Sequence, residues 1–242
     1  MWRSSNNYEK IKKALKSGKD LVVFDTETTG FSTKTSYIIE FAGKKYRNIN
    51  GKYKPVDSVS VYIKPPVPVS SKIEELTGIT NKMLDEKLPE EVVFPQIESF
   101  LEDCVWIVYN EKFDVPMVLS MAQRMHSSLQ PFMTLDALDM ARDLVPKSQT
   151  KSHKLCDIAE LYHVSANIEG LAFHDATYDA EVTAKLFFVF CDEYVERAKQ
   201  KSTVPLMKTK VTSICPWKKG RMQRIYVNTE HGTIYYDLMS KS

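Results

Sequence analysis

No run of apolar residues in this 242-residue chain approaches the ~18–20 consecutive positions that a helix needs to cross a bilayer, so no helical membrane span is expected. The first residues, Met1-Trp2-Arg3-Ser4-Ser5-Asn6, lead into a lysine-rich stretch and not into an apolar signal core. A cytoplasmic location is therefore expected. Cysteine is scarce and scattered: Cys104, Cys156, Cys191 and Cys215 form no C-x-x-C pair. Reduced, mostly buried thiols are expected, and neither a disulfide framework nor a cysteine metal cluster. Internal repeats and low-complexity tracts are lacking as well, which leaves an ordinary globular chain.

What is present fits that class. The chain is 43% hydrophobic and 26% charged, enough for a sizeable core in one domain, with or without an appendage. The net charge of +2 is uninformative, but its distribution is uneven. From Arg197 to Ser242 there are ten basic against two acidic residues, whereas residues 1–196 carry 23 against 29. An acidic body with a basic tail suits contact with a polyanion, and equally suits a merely soluble surface.

Hydrophobic periodicity predicts a helix over 7–19, stopped by Gly18, and a strand over 20–27. Strands at 37–42 and 59–63, joined through Asn48-Ile49-Asn50-Gly51, predict an antiparallel meander. Helical patterns follow over 71–86 and 89–103, then an apolar strand at 105–109 and a helix over 114–126. A short strand near 132–135, helices over 135–144 and 152–163, and a long helix over 175–199 complete the pattern. The expected fold is α/β, a mixed five-stranded sheet flanked by helices. A β-hairpin is expected over 224–237, within the basic extension. The expected organisation is an N-terminal helix (1–19), a main domain (20–200) and a basic C-terminal extension (201–242).

Three short segments carry the chemistry: Phe-Asp-Thr-Glu-Thr-Thr-Gly at 24–30, Tyr-Asn-Glu-Lys-Phe-Asp at 109–114, and His-Asp-Ala-Thr-Tyr-Asp-Ala at 174–180. Asp25 and Glu27 end an apolar strand, and residues two apart on a strand share a face. Glycine at position 30 allows a tight turn and a close backbone approach. Asp114 falls near a helix N-terminus, where a carboxylate is also an ordinary cap. Asp179 falls in the first turns of the last helix, where a solvated face is the plain alternative, and His174 just before it. Carboxylates brought together repel unless a cation neutralises them, and hard oxygen donors suit Mg²⁺ or Mn²⁺.

In combination the three segments resemble the three motifs of the DEDDh 3′–5′ exonucleases, the DnaQ-like proofreading family. The stretches Ile73–Thr80 and Lys154-Leu155 with Ile158-Ala159 also resemble family segments, and the resemblance covers roughly residues 20–192. It implies a ribonuclease H-like fold, with Asp25, Glu27, Asp114 and Asp179 as metal-binding acids and His174 as general base. His174 precedes the last acid by five residues; Tyr178, adjacent to that acid, cannot fill the tyrosine role of a related branch. Thr28, Phe31, Asn110 and Phe113 correspond to positions at the terminal nucleotide. One departure is Tyr109-Asn110, where the family commonly has His-Asn before the third acid.

By that resemblance two Mg²⁺ or Mn²⁺ ions would clamp a scissile phosphate, with Asp25 shared between them. His174 would deprotonate the attacking water, a task imidazole suits at neutral pH. The expected substrate is single-stranded DNA or a 3′ end, degraded to 5′-mononucleotides, with a DNA polymerase as possible partner. RNA as the polymer, or a binding module without catalysis, stays open. Lys218, Lys219, Arg221 and Arg224, interleaved with Trp217 and Tyr226, are candidates to guide a strand or contact a partner.

Overall fold

A computed structural model describes residues 6–202, 211–219, 222–229 and 232–238, with side chains through residue 199. Two compact units divide the chain, Met1–Tyr194 and Val195–Ser242. Among the described residues no helix is long and apolar enough to cross a membrane.

The first unit is built on a five-stranded sheet with strand order β3-β2-β1-β4-β5: β1 (Leu21–Thr28), β2 (Ile38–Ile49), β3 (Lys52–Tyr62), β4 (Val105–Val108) and β5 (Met133–Asp136). The first three strands pair antiparallel, and β4 and β5 join parallel to β1. This is the expected ribonuclease H-like mixed sheet. Both faces are covered, so the central strands read as continuous apolar runs. Alternation along β1 divides its side chains. Val22 and Phe24 enter one core with Trp106 and Val108, under helices α4 (Glu90–Leu101) and α5 (Glu111–Arg124). Leu21 and Val23 enter the other, with Ile107 and Leu135. That second core is covered by α1 (Asn6–Lys16), α6 (Ala137–Leu144), α7 (Leu155–Leu161) and α8 (Ala176–Ser202). Asp25 and Glu27 continue the Leu21–Val23 row, so both acids leave the sheet on the side of α8.

Helix α1 packs Ile11 and Ala14 into the same core as β1, and Gly18, at φ 73°, ends the helical segment before the strand. The helical pattern over 71–86 resolves into two short helices, α2 (Ser71–Thr77) and α3 (Asn81–Leu84). Gly78 caps the first in the left-handed region, and the Thr80 hydroxyl accepts from Met83 N–H to start the next. Strands β2 and β3 run several residues beyond their apolar centres, because backbone pairing continues into the polar hairpin end.

In the second unit, β6 (Val211–Lys219), β7 (Met222–Thr229) and β8 (Gly232–Leu238) form an antiparallel sheet in that order. The expected hairpin is therefore two strands of three. Strand β6 contains Pro216 and two lysines, which disguise it; it lies at the sheet edge, where proline is tolerated. Arg221, the turn residues Glu230 and His231, and the side chains of Trp217, Lys218, Lys219, Arg224 and Tyr226 lie outside the described residues.

Candidate active site

The parallel ladder between β1 and β4 ends at Val23 and Ile107, leaving the last part of β1 without a neighbour on that side. Asp114, in the first turn of α5 and almost fully buried, takes the place of a strand there. Its Oδ1 accepts from the Thr26 backbone N–H (3.1 Å) and from the Thr26 hydroxyl (2.7 Å). A buried N–H is thereby satisfied, and the third acid is clamped to the residue between the first two. Helix α5 is entered through Asn110, held at φ 90° and ψ 72°, whose N–H donates to Asp136 Oδ1 (3.1 Å). Asp136 also caps α6 through Leu138 N–H, so one carboxylate fixes the exits of β4 and β5 together.

Helix α8 brings the remaining groups. Its first residue, Ala176, donates its N–H to Glu40 Oε2 (3.1 Å), and Glu40 stands directly across from Glu27 in the β1–β2 register. His174, at φ 73°, donates its backbone N–H to Asp179 Oδ2 (3.3 Å). A ring nitrogen of His174, a Glu27 oxygen and an Asp179 oxygen all lie within 4.8 Å of one another. The imidazole is exposed and Asp179 is buried.

The acids raise one another's proton affinity. Burial, then Asp114, Asp179, Glu27 and Glu40, hold Asp25 well above the usual carboxylate range. Burial, with Asp179 and Glu40 adding to it, pushes Glu27 up to about 9. Burial raises Asp114 against the two Thr26 donors, and raises Asp179 against the His174 N–H. Glu40 is pushed up to about 7 by burial, opposed by the Ala176 N–H. Two like charges about 4 Å apart cost about 4 kcal/mol at an effective dielectric near 20. A hydrogen bond to a charged group returns about 1.5–3 kcal/mol. Repulsion therefore wins unless protons or cations intervene. None of the five acids forms an ion pair with lysine or arginine among the described residues; the nearby Lys44 is held by Glu181 at 2.5 Å. Asp179 Oδ1 is buried without a hydrogen-bond partner. An all-oxygen carboxylate set with an orphaned buried lone pair fits a divalent cation.

Of the positions expected at the terminal nucleotide, Phe31 and Phe113 meet with ring centroids 5.9 Å apart. Phe31 is 75% exposed, so its ring is not core packing. The loop that carries it is tethered to α5: Ser120 Oγ donates to the Thr33 carbonyl (2.6 Å), and the Arg124 guanidinium stacks on Tyr37. Arg124 in turn forks onto Glu90 at 2.6 and 2.7 Å. Thr28 is buried and its hydroxyl donates to the Gly30 carbonyl (2.7 Å), closing the turn after β1. Asn110 lines the cavity beside His174 and Asp179.

With this geometry in view, the RNase_T family model, described as Exonuclease, matches residues 22–187. The chain belongs to this exonuclease family. Such an enzyme is a hydrolytic nuclease. The exonuclease is 32% identical over 215 residues to the PolC-type DNA polymerase III of Streptococcus pyogenes serotype M2 (strain MGAS10270), covering 87% of this chain and 14% of that protein. It is 33% identical over 177 residues to the PolC-type polymerase of Caldanaerobacter subterraneus subsp. tengcongensis, covering 73% of this chain and 12% of that protein. The chain thus spans a small fraction of the polymerases it resembles. Two solved structures share its fold. Exonuclease X in complex with 5′ overhanging duplex DNA superposes with a TM-score of 0.53 at 24% identity, over 72% of this chain and 92% of that one. E. coli exonuclease I in complex with a dT13 oligonucleotide gives 0.60 at 16% identity, over 86% and 55%.

Sequence reasoning passed over Glu40 in this exonuclease. The signal was an acid inside Ile38-Ile39-Glu40-Phe41-Ala42, where a central strand would otherwise be wholly apolar. A buried charge in such a run needs a partner, and here the partner is the start of α8.

Proposed function

We propose that the protein is a metal-dependent 3′–5′ exonuclease that removes 5′-mononucleotides from DNA ends, in proofreading or repair in the cytoplasm. The observation that carries this reading is the convergence of Asp25, Glu27, Asp114 and Asp179, from three elements, β1, α5 and α8, with the His174 imidazole at the open side. The four acids would hold two Mg²⁺ or Mn²⁺ ions, which when bound supply Lewis-acid stabilisation of charge on the phosphate oxygens. His174 accepts a proton from the attacking water at a ring nitrogen. The water oxygen bonds to phosphorus, the P–O3′ bond breaks, and the leaving 3′-oxygen departs with the electron pair. Phe31 and Phe113 stack on or wedge against the terminal base, Asn110 flanks it, and the Thr28 turn sets their height above the acids. The PolC-type relatives support a polymerase as partner.

The test is hydrolysis of 5′-labelled single-stranded DNA and RNA oligonucleotides with Mg²⁺, Mn²⁺ or EDTA. A DNA ladder shortening from the 3′ end, abolished by EDTA, is expected. Cleavage confined to RNA, shortening from the 5′ end, or activity that survives EDTA would overturn the assignment.

A further inference from the structure

The cleft extends well past the acids. A cavity of about 800 Å³ opens from His174 and Asp179 and runs along the segment that joins α6 to α7. Among the described residues four cations line it, Arg142, Lys147, Lys151 and Lys154, and the only acid in that lining is Asp179 itself. Apolar groups share that lining: Leu138, Leu155 and Phe173. This concentration of positive charge stands out because residues 1–196 are acidic overall, with 29 acids against 23 basic residues.

The cations are available. Lys147 and Lys154 form no ion pair among the described residues. Arg142 meets Asp139 at 3.3 Å and Lys151 meets Glu160 at 3.0 Å, both in exposed pairs that solvent screens heavily. Their backbone is nevertheless fixed. The Tyr109 hydroxyl donates to the His153 carbonyl (2.8 Å), the His153 ring bonds the Val145 carbonyl (2.9 Å), and Thr150 Oγ1 donates to the Ser152 carbonyl (2.6 Å). A groove whose rim is held before the ligand arrives loses less ordering entropy on binding.

We propose that this groove carries the unpaired DNA strand on the 5′ side of the scissile bond, with Arg142, Lys147, Lys151 and Lys154 on its phosphates and Leu138, Leu155 and Phe173 under its bases. The inference rests on the exonuclease reading above, since a strand whose last nucleotide sits at the acids must leave along an open path. The presence of both charge and apolar surface in one lining selects an unpaired strand. A duplex turns its bases inward and offers only phosphates, which cations alone would serve, whereas a single strand presents both.

The experiment measures binding of a 5′-fluorescein oligodeoxynucleotide in EDTA, by anisotropy, across a series of KCl concentrations. Each phosphate contact to a single strand contributes about 0.7 to the slope of log K against log salt. The substitutions Lys147→Gln, Lys151→Gln and Lys154→Gln should each flatten the slope by about 0.7, and the triple variant by about 2, with at least tenfold weaker binding at low salt. Lys13→Gln, on α1, should leave the slope unchanged. A blunt duplex of equal length should compete at least tenfold less well than the single strand. Unchanged slopes in the triple variant, or equal competition by duplex, would sink the proposal. Absence of hydrolysis by the wild-type protein with Mn²⁺, together with groove-dependent binding, would instead remove the nuclease reading and leave the groove standing.

Discussion

His174 and Asn110 both hold backbone conformations that side chains ordinarily avoid, at φ 73° and φ 90°, and both border the cleft. Such a conformation costs on the order of 1–3 kcal/mol and persists only where its surroundings impose it. Here the surroundings are the Asp179 and Asp136 carboxylates, each accepting the strained residue's own N–H. The same bond that strains His174 fixes its ring beside Glu27 and Asp179. Replacing the ring alone should therefore leave the acids where they are. His174→Ala is expected to lower kcat by about 10²–10⁴ while Mn²⁺ still raises the melting temperature as it does in wild type. Asp25→Asn should lose more activity, because Asp25 is the acid that feels all four of its neighbours, and should blunt the Mn²⁺ effect on melting. Steady-state kinetics beside thermal melts would check both, and full activity in His174→Ala would refute the base assignment. Phe31 supports a different expectation. Its ring is exposed and its described ring contact is with Phe113, so Phe31→Ala should change stability by no more than about 0.5 kcal/mol and yet raise KM severalfold on oligonucleotides.

At the scale of elements, the site depends on how α8 begins. Glu40 receives the Ala176 N–H from near the start of β2, so the helix that carries Asp179 is keyed to the strand that faces Glu27. Glu40→Ala should cost about 1 kcal/mol as a lost cap and lower activity along with stability. Glu40→Gln keeps an oxygen for that N–H and removes a charge. Because the carboxyl's proton affinity is raised in the fold to about 7, ionising it between the ordinary glutamate range and pH 7 weighs against the folded state. The glutamine variant should therefore melt above wild type at pH 8 in EDTA, with the gain fading as the pH falls toward 4. Equal melting of the two proteins at pH 8 would contradict this. These elements also show what a sequence can and cannot disclose. The row Leu21-Val22-Val23-Phe24 leading into Asp25 and Glu27 is readable because period-two alternation needs no tertiary information. Asp179 and His174 are readable from local motif spacing. Glu40 is not, since its role depends on register across two strands and contact with a helix 136 residues away. The break at Gly78 was written in the chain but masked by helical periodicity on either side, and β6 was hidden by Pro216. The cationic groove escapes for a related reason: its lining joins residues 109–110, 138–156 and 173–179, which only the fold brings together.

For the molecule as a whole, crowding five carboxylates at one end of the sheet links stability to both pH and cations. In the unfolded chain these groups titrate near 4, whereas in the fold Asp25, Glu27, Glu40, Asp114 and Asp179 all take up protons more readily, Glu27 up to about 9. Between those limits the native state binds more protons than the unfolded state, so the stability of the metal-free protein must fall as pH rises from about 4 to about 9. A divalent cation bound at the acids displaces those protons, so its affinity must grow over the same interval. Cation binding to the native state alone adds RT ln(1 + [L]/Kd) to stability, about 2.7 kcal/mol at one hundred times Kd. The increase in melting temperature produced by a fixed concentration of Mn²⁺ is accordingly expected to be larger at pH 8 than at pH 5.5, measured by differential scanning calorimetry against EDTA. The direction of this pH effect is diagnostic. A cation that merely screened surface charge would shift melting equally at both pH values, and that result would mean the acids do not act as one site. If the shift instead grows with pH in wild type but not in Asp25→Asn, the linkage belongs to the cluster and not to the surface acids elsewhere on the chain.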